Sequence, residues 1–262
     1  MMSVRGSFIA AGAFLERAGA KLRHMASPSA GGFEVFLAPA ALAFNQARLD
    51  HLGSLGLGIA GKRVLEVGAG IGLMTGFFEQ LGCEVVSTEG RADNVAEIRR
   101  RYPHRTVKQM NLNDGEDWAA LGHFDCVFCY GTLYHLAEPE RALASLAAVG
   151  DTLLLETCTW PGAHDDVNLV REGPALNQAI GQVGCRPTRA WIVKRLQALW
   201  GHAYVTVDQP DSDEFETDWV LPYKHGNHRA VFVASRTPLD LPRLTTALPE
   251  RQARWRPSGA RG

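Results

Sequence analysis

The chain has 262 residues, of which 46% are hydrophobic, so it can bury a sizeable core while remaining short enough for one α/β domain. Its 27 basic residues stand against 28 acidic residues, for a formal net charge of −1, so no overall field directs the protein toward nucleic acid or a membrane surface. The five cysteines are scattered and odd in number, which argues against a disulfide framework.

The N-terminal region is expected to be helical. Arg5 followed by the apolar residues 8–15 faintly imitates a signal peptide, but Glu16 follows at once and a convincing cleavage site is missing. We therefore expect an amphipathic helix in a cytoplasmic protein, with an organellar transit peptide as the lesser alternative. No apolar run approaches the roughly 20 residues of a membrane helix. A turn at 27–32 precedes a second helical pattern over 39–56.

Strand and helix patterns alternate from residue 62 onward. Such alternation is typical of a mainly parallel sheet that is covered by helices on both faces. The predicted strands are 62–67, 84–88, 106–109, 124–129 and 151–156, and the predicted helices lie near 71–82, 91–101 and 138–147.

The pattern changes after residue 156. A long polar stretch, 157–187, predicts a loop, and a helix is predicted at 188–200. Two more strands, near 203–208 and 228–234, suggest an antiparallel pair that closes the sheet. Residues 236–262 hold six arginines and four prolines and are expected to pack poorly. The expected organisation is a helical cover (1–60), an α/β domain (61–235) and a poorly ordered tail (236–262).

The turn after the first strand carries the strongest motif. Gly68, Gly70 and Gly72 alternate there, preceded by Glu66. A dinucleotide fingerprint needs glycine at its first, third and sixth positions, but the sixth position is Leu73. A carboxylate ahead of the turn would also repel a pyrophosphate and attract a cation. The turn therefore favours a zwitterionic, positively charged ligand over a dinucleotide.

This acid-x-Gly-x-Gly-x-Gly pattern resembles motif I of the class I S-adenosylmethionine-dependent methyltransferases. The resemblance implies a Rossmann-like seven-stranded sheet, mainly parallel with an antiparallel closing strand, and helices on both faces. It also implies that the backbone of Gly68, Ala69, Gly70 and Gly72 passes close to the methionine part of the cofactor. Glu66 would then lie near the cofactor's amino group, directly or through water.

The resemblance implies further contacts at the next two strand ends. Glu89, followed by Gly90, would accept hydrogen bonds from both ribose hydroxyls, a role that NAD-binding folds share. Asn111 would accept the adenine amine where the family commonly has Asp, with the backbone amide of Leu112 donating to the ring. Asp114 is the competing acceptor, and it could instead cap a following helix.

The fourth predicted strand leads into a second motif. Cys129 ends that strand and Tyr130 follows it, and both are expected to border the cofactor, because open parallel sheets bind ligands beyond the carboxyl ends of their strands. The following Gly-Thr-Leu-Tyr-His-Leu run at 131–136 resembles a motif of a methyltransferase subgroup, which includes natural-product enzymes and tRNA wobble-uridine carboxymethyltransferases. The Leu-Leu-Leu-Glu-Thr run at 153–157 strengthens that resemblance. His135 is the candidate base or a residue that holds the loop, and Tyr130 is a candidate contact to methionine or substrate.

Metal binding is not expected from the histidines, acids and cysteines. Cys126 and Cys129 lie three residues apart on a strand, so their side chains should point to opposite faces. The other groups considered are more typical of solvated turns and caps. They are His164, Asp165 and Asp166 in the long loop, and His225 and His228 around the expected closing hairpin.

The resemblance implies an S-adenosylmethionine-dependent methyltransferase that acts in line on an oxygen or nitrogen nucleophile of a small molecule. An RNA-modifying enzyme is the alternative, disfavoured because only the C-terminal arginines offer a phosphate-binding surface. A non-catalytic binding protein on the same scaffold and a nucleotide-dependent oxidoreductase are further alternatives. No membrane partner is expected, and a homodimer stays open.

Overall fold

The computed structural model describes residues 32–220 and 228–256. The amphipathic helix predicted before residue 27 and the hairpin tip with His225 lie outside the described residues. Within the described ranges, no helix is both long enough and apolar enough to cross a bilayer.

Helices and strands alternate through most of the described chain, as the sequence predicts. The α-helices are α1 (Glu34–Leu37), α2 (Pro39–Ser54), α3 (Thr75–Gln80), α4 (Ala92–Arg101), α5 (Pro139–Val149) and α6 (Arg189–Trp200). The first six strands are β1 (Arg63–Val67), β2 (Glu84–Glu89), β3 (Thr106–Gln109), β4 (Phe124–Tyr130), β5 (Gly150–Thr159) and β6 (Val167–Arg171). The remaining strands are β7 (Val183–Pro187), β8 (His202–Thr206), β9 (Asp208–Gln209), β10 (His228–Ser235), β11 (Leu244–Thr245) and β12 (Ala253–Arg254).

The main sheet is mixed, with the order β11-β8-β10-β5-β4-β1-β2-β3. The strands from β1 to β5 pair in parallel, whereas β10 runs antiparallel between β5 and β8. The parallel sheet with an antiparallel closing strand is thus confirmed. The sheet has eight strands rather than seven, because β11 adds an edge strand to β8.

The two faces of the sheet bury separate cores. Phe128 of β4 packs with Leu52 of α2 and Phe78 of α3 on one face, whereas Leu143 of α5 and Ile192 of α6 belong to the core on the other. Successive residues of a strand point to opposite faces, so β4 supplies side chains to both cores in turn.

The two cysteines of β4 follow this alternation. Cys126 lies in the core of α2 and α3, and Cys129 lies in the core of α5 and α6, as their spacing predicts. Burial raises the pKa of the Cys129 thiol to about 12 and also raises the pKa of Cys126. Both thiols therefore behave as small apolar side chains at neutral pH.

The stretch 157–187 is not a simple loop. β6 and β7 pair there as an antiparallel hairpin whose end packs beside the loop after β4. Gly184 allows this approach, because a Cβ at that position would collide with the carbonyl oxygen of Tyr134 and lie 2.5 Å from a carboxylate oxygen of Glu172. The strands of this hairpin are short, and Leu169 of β6 is exposed, so the hydrophobic periodicity of the sequence did not predict the hairpin.

The prediction of a poorly packed tail is wrong for residues 236–256. β11 pairs with β8 and β12 pairs with β9. Arg243 lies 2.5 Å from the carboxylate of Asp208, which also lies 3.2 Å from Nε2 of His51 on α2. The arginine-rich composition suggested that this segment is solvated, but the charge of Arg243 is compensated by Asp208 of β9. Residues 257–262 lie outside the described residues.

Replacing Arg243 with Ala should lower the free energy of unfolding by about 1–2 kcal/mol, because the pair with Asp208 is only partly exposed. Urea denaturation measures the change. The control is Arg251→Ala, which removes an arginine that is 78% exposed, and it should change stability by less than about 0.5 kcal/mol. Equal, negligible effects for both variants would show that this segment does not stabilise the fold.

Candidate functional site

The glycine turn joins β1 to α3 in a conformation that only glycine adopts easily. Gly68, Gly70 and Gly72 have φ values of +71°, +59° and +78°. A Cβ on Gly68 would collide with the side chain of Thr132, and one on Gly70 would lie 3.1 Å from the ring of Phe36. The turn therefore lets both the loop after β4 and helix α1 approach the backbone closely.

Glu66 lies buried beneath this turn, with a relative exposure of 1%. Its Oε2 accepts hydrogen bonds from the hydroxyls of Thr75 and Ser87, at 2.6 and 2.7 Å. Its Oε1 is buried and has no hydrogen-bond partner among the described residues. Burial raises the pKa of Glu66 despite the two hydroxyl donors. Oε2 thus anchors the turn, and Oε1 remains available as a hydrogen-bond acceptor.

Glu89 ties the end of β2 to the same turn. One carboxylate oxygen accepts from the backbone N–H of Gly70 at 2.8 Å, and the other accepts from that of Arg91 at 2.9 Å. Burial raises the pKa of Glu89, and these backbone bonds act against the rise. Each carboxylate oxygen has two lone-pair sites, so further donors can still bind.

The loop after β3 brings Asn111 next to Gly90, where a Cβ would lie 3.4 Å from that of Asn111. The side-chain carbonyl of Asn111 accepts from the N–H of Asn113 at 3.1 Å, and its amide donates to Asp114 at 3.0 Å. The two rival acceptors thus lie on one turn, hydrogen-bonded to each other. The neighbouring Leu112 is buried.

The two residues that end β4 face opposite ways. The side chain of Cys129 is fully buried in the core of α5 and α6, so only its backbone is placed to meet a ligand. Tyr130 points to the other face, where its hydroxyl is buried without a hydrogen-bond partner among the described residues. Burial raises the pKa of Tyr130, so the hydroxyl stays protonated and can donate.

His135 follows β4 on a short 3₁₀ turn and is paired with Glu172 through its Nδ1. Burial would raise the pKa of Glu172, but His135, the N–H of Ala179 and Arg186 together lower it. Burial lowers the pKa of His135, and this effect outweighs the opposing effect of Glu172. At neutral pH the carboxylate is thus ionised and the imidazole neutral. Because the carboxylate only accepts, Nδ1 carries the proton and Nε2 carries the basic lone pair.

The β6–β7 loop (residues 172–182) crosses the carboxyl edge of the sheet. Its backbone carbonyl at Gln178 accepts a hydrogen bond from the guanidinium of Arg91 at 3.0 Å. Its Ile180 lies against Gly90, where a Cβ would be only 2.6 Å away. One loop therefore connects the His135 region to the end of β2, a connection that periodicity and motif spacing did not reveal.

A second group that the sequence analysis missed lies between helix α2, β5 and the start of β10. Here the double-arginine cluster consists of Glu156, Arg48 and Arg229, with each arginine donating to a different oxygen of Glu156 at 2.8 Å. A usable signal existed, since Glu156 follows an apolar run within its strand, as Glu66 and Glu89 do within theirs.

The acid and histidine groups considered as metal ligands have other partners. Asp165 pairs with Lys194 at 2.5 Å, and the nearby His164 and Asp166 are exposed. His228 lies 3.3 Å from Glu216 at the start of β10. In the part of the chain that the structure describes, no group of three or more metal-ligating side chains converges.

Residues 65–150 match the family model described as a methyltransferase domain. Ubiquinone biosynthesis O-methyltransferase of Xanthomonas oryzae pv. oryzae is 35% identical over 122 residues, which are 44% of this chain and 50% of that protein. The chain thus spans about half the length of the curated relatives that it matches. The region that matches the family model holds the glycine turn and Glu89.

Two solved structures resemble most of the chain in fold. The N-terminal domain of EvdMO1, crystallised with SAH bound, has a TM-score of 0.58 at 22% identity and covers 73% of this chain and 80% of that one. The 1,6-didemethyltoxoflavin-N1-methyltransferase of Burkholderia thailandensis has a TM-score of 0.51 at 21% identity. The match covers 85% of this chain and 90% of that one. The architecture is therefore the α/β Rossmann-like fold of methyltransferases.

Replacing Gly68 with Ala should lower the free energy of unfolding by about 1–3 kcal/mol, because the left-handed backbone and the contact with Thr132 both oppose a Cβ. Gly115→Ala is the matched control, since nothing lies within 4 Å of its Cβ position. That variant should be neutral or more stable by up to about 1 kcal/mol. Urea denaturation compares the two, and equal stabilities would contradict the described turn.

Proposed function

We propose that the protein transfers a methyl group from S-adenosylmethionine to an oxygen or nitrogen nucleophile of a small molecule. The main support is the glycine turn, which has a buried carboxylate beneath it and a second carboxylate bound to its Gly70 amide. The matched methyltransferase domain includes these residues.

The residues around the turn fit this cofactor. Gly68 and Gly70 give the turn its left-handed backbone, and the Oε1 of Glu66, unpartnered among the described residues, is an acceptor suited to an ammonium group, directly or through water. Glu89 keeps lone pairs for two ribose hydroxyls, and Asn111 lies next along the edge, where it would meet the adenine. When bound, the cofactor supplies a methyl group already activated by its sulfonium.

The same residues make a dinucleotide the weaker candidate. A pyrophosphate needs open backbone amides and a favourable potential at the helix N-terminus. Here the amide of Gly70 is bound by Glu89, the amides of Gly68 and Ala69 donate to the carbonyl of Thr88, and Glu66 adds a carboxylate below.

His135 is the proposed general base. Its neutral imidazole, held by Glu172 through Nδ1, leaves Nε2 free to take the proton of an attacking hydroxyl or amine. This orientation of an imidazole by a carboxylate is the arrangement that favours the correct tautomer in catalytic triads. We also propose that Tyr130 contributes to the acceptor side of the site, where its hydroxyl is a buried donor.

A small molecule suits the covered edge better than RNA does. Phe36 of α1 lies over the glycine turn, Arg48 of α2 reaches the end of β5, and the β6–β7 loop crosses the edge. These contacts support the proposal that the described part of the predicted N-terminal cover, residues 32–60, covers the domain; residues 1–31 lie outside the described residues. The net charge of −1 offers no general attraction for a polyanion. A purely binding role is disfavoured because the cofactor anchors are all present.

S-adenosylhomocysteine, the demethylated cofactor, should stabilise the protein, by about 2.7 kcal/mol at a hundred times its Kd. Glu89→Gln should weaken this binding, because one carboxylate oxygen becomes an amide donor. Glu84→Gln, at the exposed start of the same strand, should leave it unchanged. Thermal unfolding with and without the ligand measures the shift. No shift at millimolar ligand, or an equal shift with NAD, would refute the proposed cofactor.

The imidazole of His135 should titrate below its ordinary pKa of about 6.5, because burial dominates. Removing the carboxylate charge in Glu172→Gln should lower that pKa further, since Glu172 acts to raise it. NMR titration measures both values, with the His135 signal assigned by its loss in His135→Ala. On an acceptor that the wild type methylates, His135→Ala should reduce kcat by about a hundredfold. Unchanged kcat with unchanged cofactor affinity would exclude the base role.

A further inference from the structure

The double-arginine cluster holds more positive than negative charge inside the protein. Arg48 and Arg229 have relative exposures of 6% and 7%, and Glu156 between them is fully buried. Burial by itself would raise the pKa of Glu156, but the two guanidinium groups lower it, so the carboxylate is ionised. Two cations therefore share one anion.

Within the described residues, the other contacts of the two arginines do not cancel this excess. Arg48 also donates to Asn45, and Arg229 also donates to the hydroxyl of Tyr134 at 3.0 Å, both neutral groups. Both guanidinium groups also lie over the ring of Phe44, 4.3 and 5.1 Å from its centroid, which stabilises a cation but adds no counter-charge. Among the described residues, one further acid lies near the pair: a carboxylate oxygen of Glu214 is 3.9 Å from Nε of Arg229, beyond hydrogen-bond distance, and its side chain is 51% exposed and so screened by water. Keeping an uncompensated charge out of water is costly unless a counter-charge arrives.

Three buried donors around Glu156 lack hydrogen-bond partners within the described ranges. They are Nε of Arg48, Nε of Arg229 and the hydroxyl of Tyr130. Tyr130 is the direct register partner of Glu156 across β4 and β5. An oxygen-rich anion would satisfy such donors, because it accepts several hydrogen bonds at once.

The cluster adjoins the loop that packs on the glycine turn. A Cβ on Gly131 would lie 3.1 Å from Arg48 and 3.9 Å from Glu156. The next residue, Thr132, donates to the carbonyl of Val67 at 3.0 Å and contacts Gly68. The unpartnered donors thus lie at the same carboxyl edge as the proposed methyl donor.

From this arrangement we propose that the methyl acceptor carries a compact oxyanion, a carboxylate or a phosphate, which is bound by Arg48, Arg229 and Tyr130. This inference rests on the proposed function and specifies its substrate class. Glu156 then acts as a positioning residue, because it holds the two guanidinium groups at one point. Arginine suits this role, since its planar fork matches carboxylate and phosphate oxygens.

A purely structural clamp between α2 and the sheet makes a different prediction. Such a clamp needs the ion pairs of Glu156 but does not need the hydroxyl of Tyr130, which bonds to nothing in the described structure. Tyr130→Phe therefore separates the two roles. It should fold with unchanged or slightly higher stability, because an unpaired buried hydroxyl is removed, and it should still lose anion affinity.

The test uses the full chain saturated with S-adenosylhomocysteine, at constant ionic strength set with sodium chloride. Benzoate and phenyl phosphate are the anionic probes, and benzamide is the neutral counterpart. Thermal unfolding and calorimetry measure their binding. We expect at least one anion, but not benzamide, to raise Tm, and which anion binds more tightly distinguishes carboxylate from phosphate.

The variants then assign the binding to the cluster. Tyr130→Phe should weaken anion binding about tenfold, the usual scale for a hydrogen bond to an ionised group, and Arg48→Gln and Arg229→Gln should abolish it. Arg243→Gln is the matched control, because it removes a partly buried arginine from a different ion pair and should keep the anion-induced shift.

Two results would overturn the inference. One is that neither anion binds more tightly than benzamide, and the other is that Tyr130→Phe binds the anions as the wild type does. If the arginine variants fail to fold, Tyr130→Phe still distinguishes an anion-binding cluster from a purely structural one. If S-adenosylhomocysteine itself does not bind, the proposed function fails separately, and the anion measurements are made without it.

Discussion

Three buried glutamates in the carboxyl-terminal halves of β1, β2 and β5 organise this protein, because a buried carboxylate must find donors to replace water. Glu66 takes hydroxyls, Glu89 takes backbone amides and Glu156 takes guanidinium groups. Each choice of donor ties a different element to the sheet edge. The turn after β1, the start of α4 and helix α2 are all held in this way.

The kind of donor also sets the direction in which the pKa of each carboxyl group is shifted. Hydroxyls and amides do not offset burial, so the pKa values of Glu66 and Glu89 are raised. Two guanidinium groups do offset it, and the pKa of Glu156 is lowered. Among the described residues, no guanidinium group hydrogen-bonds to Glu66 or Glu89, whereas two bind Glu156. One edge of the sheet therefore leaves carboxyl groups without a cation at one place and an excess of cations at another. This division matches a reaction between a sulfonium donor and an acceptor with an anionic group.

Much of the fold and part of the site follow from local sequence. Alternating apolar segments identify the five parallel strands and their helices, since burial on both faces requires such runs. The glycines of the turn and Glu89 follow because their spacing matches a strand-helix-strand unit. The prediction of His135 as a candidate base follows from its position after β4. In contrast, Glu172 lies on a hairpin with weak periodicity, and only folding brings it to His135.

The sequence by itself determined the order of β and α elements, the glycine turn and the acids that flank it, because each depends on residues close together in the chain. Only the tertiary structure decided which charges meet. Arg48, Glu156 and Arg229 come from α2, β5 and β10, and Arg243 leaves the expected tail to pair with Asp208. Electrostatic compensation acts through space, so composition and spacing along the chain do not reveal it.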